Sequence, residues 1–366
     1  MIPFLDLARQ SREVEVETTA ALMRALTSGI YILGCEVEAF EDEWARFCGV
    51  HSTAAVACGT DALTLALIAS GAVRKGHLDE VITSPLTAGY TALAIMNAGG
   101  IPVFADIDPH TYTLAPQALE KAITPRTRAI VPVHLYGQMA DMAVICDIAA
   151  RHGLIVIEDA AQAHGAHMDG KRVGAYGQAA AFSFYPTKNL GAYGDGGAVT
   201  SNDGALIERV KVLRQGGHSA ALQGYTEGRN SRLDEIQAAM LRVKLRYLEQ
   251  WNSQRQTLAA IYHERLRGTS LQVPQARKPE AHVYHLYVVQ HPERDRLRTA
   301  LAGRGVETMI HYPYLLHRQP LFRQAGQGKL PMAERAAAGI LSLPLYPQLK
   351  MEEIHTVIEA ILEWDA

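Results

Sequence analysis

Cysteine is scarce in this chain of 366 residues: only Cys35, Cys48, Cys58 and Cys146 occur, with no Cys-x-x-Cys pair. That spacing argues against a zinc knuckle, a redox dithiol or a dense disulfide framework, and predicts core thiols in a reducing compartment. An excess of positive charge is missing too. With 35 Lys and Arg against 38 Asp and Glu the formal net charge is −3, so the basic field that nucleic-acid binding needs is absent. No stretch offers the roughly 20 apolar residues of a membrane span. Asp6 and Arg9 come too early in MIPFLDLARQ for a secretory signal, and the chain reads as cytoplasmic. The 15 histidines include no His-x-x-x-His on an evident helix. His134, His164 and His167 follow strands without a matching carboxylate cluster, so no metal site is expected. Internal repeats and low-complexity tracts are also lacking.

What is present is apolar and periodic. Apolar residues make up 48% of the chain, enough for a sizeable core, and the length favours about two domains. Short runs rich in Val, Ile and Ala recur at 53–59, 81–84, 101–106, 129–135, 154–159, 179–185 and 196–201, with amphipathic segments such as 61–72 and 141–153 between them. The alternation predicts an α/β fold, a mostly parallel sheet covered by helices on both faces. From Leu233 to about Leu266 the pattern becomes one long helix, and 269–281 reads as a loop-rich linker. Beyond it, VYHLYVVQ and MEEIHTVIEAILEW predict a smaller α+β domain. The expected division is 1–250 and 251–366.

In an open α/β sheet ligands bind beyond the carboxyl ends of the strands. After the first strand, CGTDAL places Gly59, Thr60 and Asp61 at a helix start, which fits either an ordinary N-cap or a phosphate site. After LIVIE comes DAAQAHG. Asp159 there either caps a helix or pairs with a cation such as a protonated pyridine nitrogen. After AAAFSFY comes Lys188, in a stretch FSFYPTKNLGAYGDGG whose glycines leave room for a bulky ligand. A lysine against apolar walls can lose its proton and attack a carbonyl, and Ser183, five positions earlier, has a hydroxyl suited to a phosphate oxygen. Together these stretches point to an aldehyde-bearing, phosphorylated, pyridine-type cofactor.

With IPFLDL, YILGCEVEAFEDEWARFCGV, CGTDAL, EDAAQAHGA, FSFYPTKNLGAYGDGG, GRNSRLDEIQAA, HYPYLLHRQP and LSLPLYPQL in this order, the chain resembles, end to end, the DegT/DnrJ/EryC1/StrS family of sugar aminotransferases. The resemblance implies aminotransferase fold type I and pyridoxal 5′-phosphate. It implies that Lys188 forms the Schiff base with the cofactor aldehyde, that Asp159 pairs with the pyridinium nitrogen, and that Gln162 lies against the ring. The phosphate would be held around Gly59, Thr60 and Asp61, by Ser183, and by Asn230 of a neighbouring subunit, which implies a homodimer. Lysine at position 188 argues against the family's deoxygenating branch, which has histidine there. Where the family usually places an aromatic side chain against the cofactor, this chain has Ala88, with Tyr90 offset by two.

By the same resemblance the substrates are L-glutamate and a nucleotide-linked keto sugar, with a dTDP-3-keto-6-deoxyhexose preferred over C4 amination or a keto-cyclitol. His311, Tyr312 and His317 are the candidate sugar contacts, with Gln319 in the same segment; His311 and Tyr312 could equally be packing residues. Arg229, Arg232 and Lys171 are candidate anion contacts. Two other classes compete: a lyase or aldolase using Lys188 without pyridoxal phosphate, which would leave Asp159 and the phosphate-binding elements without a task, and a noncatalytic protein that binds the cofactor.

Overall fold

The computed structural model describes residues 1–219, 224–225, 228–325 and 328–366. Each of the seven apolar runs forms a strand: Ser52–Val56 (β1), Glu80–Thr83 (β2), Ile101–Phe104 (β3), Thr127–Val131 (β4), Ile155–Asp159 (β5), Ala179–Ser183 (β6) and Gly197–Ser201 (β7). They join in one sheet of order β1-β7-β6-β5-β4-β2-β3. The pairs β2–β3, β2–β4, β4–β5 and β5–β6 are parallel, while β7 runs antiparallel to both β1 and β6. Nearly every strand residue is buried, as a sheet covered on both faces requires. Helices Gly59–Ala69 and Gly204–Leu213 share one core with one face, and Met142–His152 packs on the other. The Met142–His152 helix ends as expected at Gly153, in the left-handed conformation.

Three sequence expectations need correction. The long helix is two, Glu235–Leu245 and Leu248–Arg265, broken at Arg246–Tyr247 without proline or glycine. The break lets two apolar faces reach different cores: Ala238 and Leu241 join the aromatic cluster of Phe40, Trp44 and Phe182, whereas Leu258, Ala259 and Tyr262 join the C-terminal cluster. That second cluster surrounds a two-stranded antiparallel sheet, Tyr287–Gln290 (β8) against Ile340–Leu343 (β9), of which β9 had no strand assignment. Ile2 also belongs to it and bridges to Val306. Third, of the four thiols only Cys48 is a core residue; Cys35 is exposed and Cys58 and Cys146 are half-buried.

Candidate active site

Because β7 alone opposes the other strands, the carboxyl ends of β1, β2, β5 and β6 open on one edge of the sheet. The chain leaving β1 turns at Cys58, whose Sγ accepts from the Asp61 N–H at 3.5 Å, and enters the helix Gly59–Ala69. Only glycine fits at 59, since a Cβ there would stand 2.6 Å from the Cβ of Ser183 at the end of β6. The helix start, with unpaired N–H groups and its positive dipole end, therefore meets the Ser183 hydroxyl in one cup suited to a phosphate. Asp61 turns its carboxylate to Arg229, 3.3 Å away, and its N–H, the group left to face a phosphate, lies 3.5 Å from Cys58 Sγ.

Asp159, the last residue of β5, is 8% exposed. One of its oxygens accepts from the Thr91 hydroxyl at 2.7 Å and the other from the Ala161 N–H at 3.2 Å. This holds the carboxylate in one orientation and leaves lone pairs for a cation. Sequence reasoning missed Thr91. Its signal was a polar residue on the otherwise apolar buried face of the helix Gly89–Asn97, beside Ala92, Ala94 and Ile95.

Lys188 follows β6 on a loop that folds tightly on itself: its N–H donates to the Tyr185 carbonyl at 2.9 Å, and a Cβ at Gly191 would lie 2.3 Å from the Pro186 carbonyl oxygen. Beneath the loop, Lys244 is buried, donates to the Gly191 carbonyl at 2.8 Å and lies 3.8 Å from the centre of the Tyr193 ring. Burial in the cleft pushes the Lys188 ammonium down to about 8, against the opposing pull of Asp159. Three histidines feel the same charge. Burial first and Lys188 second hold His164 at about 3, His311 at about 4 and His285 well below its ordinary value. An amine flanked by neutral imidazoles and a single carboxylate deprotonates near neutral pH, as a nucleophile toward a carbonyl must.

Gln162 joins two other elements to the site. Its Oε1 accepts from the Tyr136 N–H at 2.7 Å, and its Nε2 donates to the Tyr312 hydroxyl at 3.0 Å. Tyr312 is pushed up to about 12, chiefly by burial, and so stays a neutral phenol. His311 pairs through Nδ1 with the Ser342 hydroxyl at 2.9 Å, and the Tyr136 hydroxyl donates to the His311 carbonyl. His311 and Tyr312 thus border the lysine cleft. His317 is buried, 3.4 Å from Glu334 and 6.5 Å from the Phe104 ring. Tyr90 is 67% exposed, away from the buried face of its helix, and Ala88 is that helix's N-cap. Asn230 is exposed, bridges through its backbone to Gln215, and makes no side-chain hydrogen bond among the described residues. Lys171 lies 4.6 Å from the Tyr176 ring centre, outside the site.

The buried histidines carry a consequence for stability. His164 and His282 are both fully enclosed, and burial holds both near 3. The unfolded chain takes up a proton on each near pH 6.5 whereas the folded chain does not, so the unfolded state binds more protons in that window and stability falls with acid. The expected loss is about 1.4 kcal/mol per pH unit for each residue between about pH 6 and pH 4. Urea midpoints across that range test it; a flat profile would mean that the folded protein protonates both rings.

The cup at Gly59 and Ser183, the oriented carboxylate of Asp159 and the depressed amine of Lys188 match the phosphate, ring nitrogen and aldehyde of pyridoxal phosphate. Among the described residues no cluster of His, Cys, Asp or Glu could hold a metal ion, and no helix is long and apolar enough to cross a membrane. Residues 12–362 match the model of the DegT/DnrJ/EryC1/StrS aminotransferase family. The dTDP-3-amino-3,4,6-trideoxy-alpha-D-glucose transaminase of Streptomyces venezuelae is 46% identical over 99% of this chain and 96% of its own. The UDP-N-acetyl-3-dehydro-alpha-D-glucosamine 3-aminotransferase of Acidithiobacillus ferrooxidans is 41% identical over 98% and 97%. Among solved structures, S. venezuelae DesV in complex with a ketimine intermediate superposes with a TM-score of 0.95 at 45% identity, covering 100% of this chain and 98% of that one.

Proposed function

Because the chain belongs to the DegT/DnrJ/EryC1/StrS aminotransferase family and is with it a pyridoxal-phosphate-dependent aminotransferase of fold type I, we propose that it moves the amino group of L-glutamate to C3 of a dTDP-linked 3-keto-6-deoxyhexose. The observation that carries the chemistry is the Lys188 amine, depressed to about 8 by burial with the Asp159 carboxylate as its opposing charge. Position C3 is favoured because the two relatives named above, one acting with a dTDP sugar and the other with a UDP sugar, both bear their nitrogen or ketone at C3 by name.

When bound, pyridoxal phosphate supplies an electron sink and a carrier for the amino group. The chain does the rest. Backbone amides at Gly59, Thr60 and Asp61 and the Ser183 hydroxyl would hold the phosphate; Asp159 would keep the ring nitrogen protonated; Gln162 would lie alongside. Lys188 would supply the amine that holds the cofactor aldehyde, and the same amine would carry a proton from the substrate carbon and return it. Neutral His311 and Tyr312 face the sugar. The exposed Asn230 completes the phosphate site of a second copy, so the working unit is a homodimer, in the cytoplasm. The division into a cofactor-binding part, 1–250, and a smaller part, 251–366, belongs to the same reading; one core is drawn from residues 54–210 and another, apart from Ile2, from residues beyond 250.

The test is direct. Protein loaded with pyridoxal phosphate is given L-glutamate and, in parallel, dTDP-linked 3-keto and 4-keto 6-deoxyhexoses, a UDP-linked 3-keto sugar and a keto-cyclitol. Release of 2-oxoglutarate with a 3-amino dTDP sugar, located by NMR, is the expected result. Amination at C4, of the UDP sugar alone or of the cyclitol would overturn the substrate, and no consumption of glutamate would overturn the donor.

A further inference from the structure

The residue after the reacting lysine is more tightly bound than the lysine itself. Asn189 is 1% exposed, and its side chain uses three hydrogen bonds, all to residues distant in the chain. Its Nδ2 donates to Asn252 Oδ1 at 2.8 Å and to the Val283 carbonyl at 3.1 Å, and its Oδ1 faces His285 Nδ1 at 3.2 Å. A carbonyl only accepts, so Val283 fixes which end of the amide is nitrogen. The Asn189 oxygen must then accept, and the hydrogen of the neutral His285 ring sits on Nδ1. Asn252 is oriented in turn, because its Nδ2 donates to the His164 carbonyl at 2.8 Å. The far side of this network is rigid: buried Arg255 donates to the carbonyls of Tyr284, His285 and Leu345 at 3.2, 3.4 and 2.9 Å, pinning the segment that leads into β8.

We propose that Asn189 is the positioning residue for Lys188, and that His285, through its Nδ1–H, makes the C-terminal part of the chain set where the lysine amine stands. Lys188 has no side-chain hydrogen bond of its own among the described residues, so the reach of its amine depends on the backbone of its loop, and Asn189 is the point at which that loop is tied to both cores. This rests on the reading of Lys188 as the reacting amine. Small misplacement of a reacting group costs rate rather than binding.

The experiment uses cofactor-free protein and follows, by visible absorbance, the rate at which it captures pyridoxal phosphate, together with kcat and KM for glutamate. Asn189→Ala and His285→Ala are expected to slow capture and lower kcat by about 10- to 100-fold with KM little changed. Asparagine carries its N–H where imidazole carries Nδ1–H, so His285→Asn is expected to recover most of the loss. Recovery would not follow if His285 acted through Nε2. Capture at the wild-type rate in both alanine variants, or His285→Asn as slow as His285→Ala, overturns the proposal. If Asn189→Ala fails to fold by circular dichroism, the His285 pair decides alone. Absence of capture by the wild-type protein would instead sink the reading of Lys188.

Discussion

Lys188→Ala protein should lose turnover by about 10⁴-fold or more, the upper end of what one positioned acid–base group contributes, while keeping its fold. The loss is large because no other described group in the cleft can take over both tasks. His164, His285 and His311 also feel the cleft, but burial, the larger cause, makes them weak bases even without the lysine, and the hydrogen bonds of His164 and His285 tie them to Ser183 and Asn189. The fold survives because the amine anchors nothing. Carrying a proton whose affinity burial has lowered from 10.5 to about 8 works against the folded state at pH 7. Removing it should leave stability unchanged or raise it by up to roughly 3 kcal/mol, less to the extent that the cleft admits water. Single-turnover assays and thermal melts of the two proteins measure both halves, and wild-type turnover in the variant would end the assignment of Lys188.

Glu158→Ala has the largest expected effect on stability, about 4 kcal/mol or more. Glu158 is wholly buried on the opposite side of β5 from Asp159 and accepts four hydrogen bonds: from the N–H groups of Gly174, Tyr176 and Gly177 at 3.0, 2.8 and 2.8 Å, and from His134 Nε2 at 3.0 Å. The donor on His134 is fixed, because Nδ1 accepts from the Ala140 N–H at 3.1 Å. Burial drives the Glu158 carboxyl upward, but His134 and the backbone donors together hold it below the usual range, so it is an anion at neutral pH. Alanine would leave four buried donors unpaired. Glutamine, keeping one accepting oxygen and opposing the rest with N–H groups, should lose roughly half as much. Urea titration of the three proteins checks the order; a Glu158→Ala loss under about 1 kcal/mol would mean that water replaces the carboxylate. Since Glu158 adjoins Asp159, a loosened β5 should also weaken cofactor affinity.

The candidate site was legible where chemistry-bearing residues follow a strand directly. Lysine after an aromatic strand, carboxylate after an aliphatic one, and glycine before a helix are local patterns, and the structure gathers Gly59, Ser183, Asp159 and Lys188 at one edge of the sheet. Thr91, Glu158 and Asn189 left no such trace, because each acts through partners 16 to 96 residues away. His317 shows the same dependence on distant residues. It stands in the same short segment as His311 and Tyr312, yet its partner is Glu334.

Sequence alone determined the alternation of strand and helix, hence the covered parallel sheet, and the chemistry offered at its edge, because both depend on side chains within a few residues of one another. Tertiary structure decided the break at Arg246–Tyr247, the pairing of β8 with β9, the orientation of Asp159 by Thr91 and the protonation of the amine and its histidines. Burial and hydrogen bonds between distant segments set these, and neither exists until the chain has closed on itself.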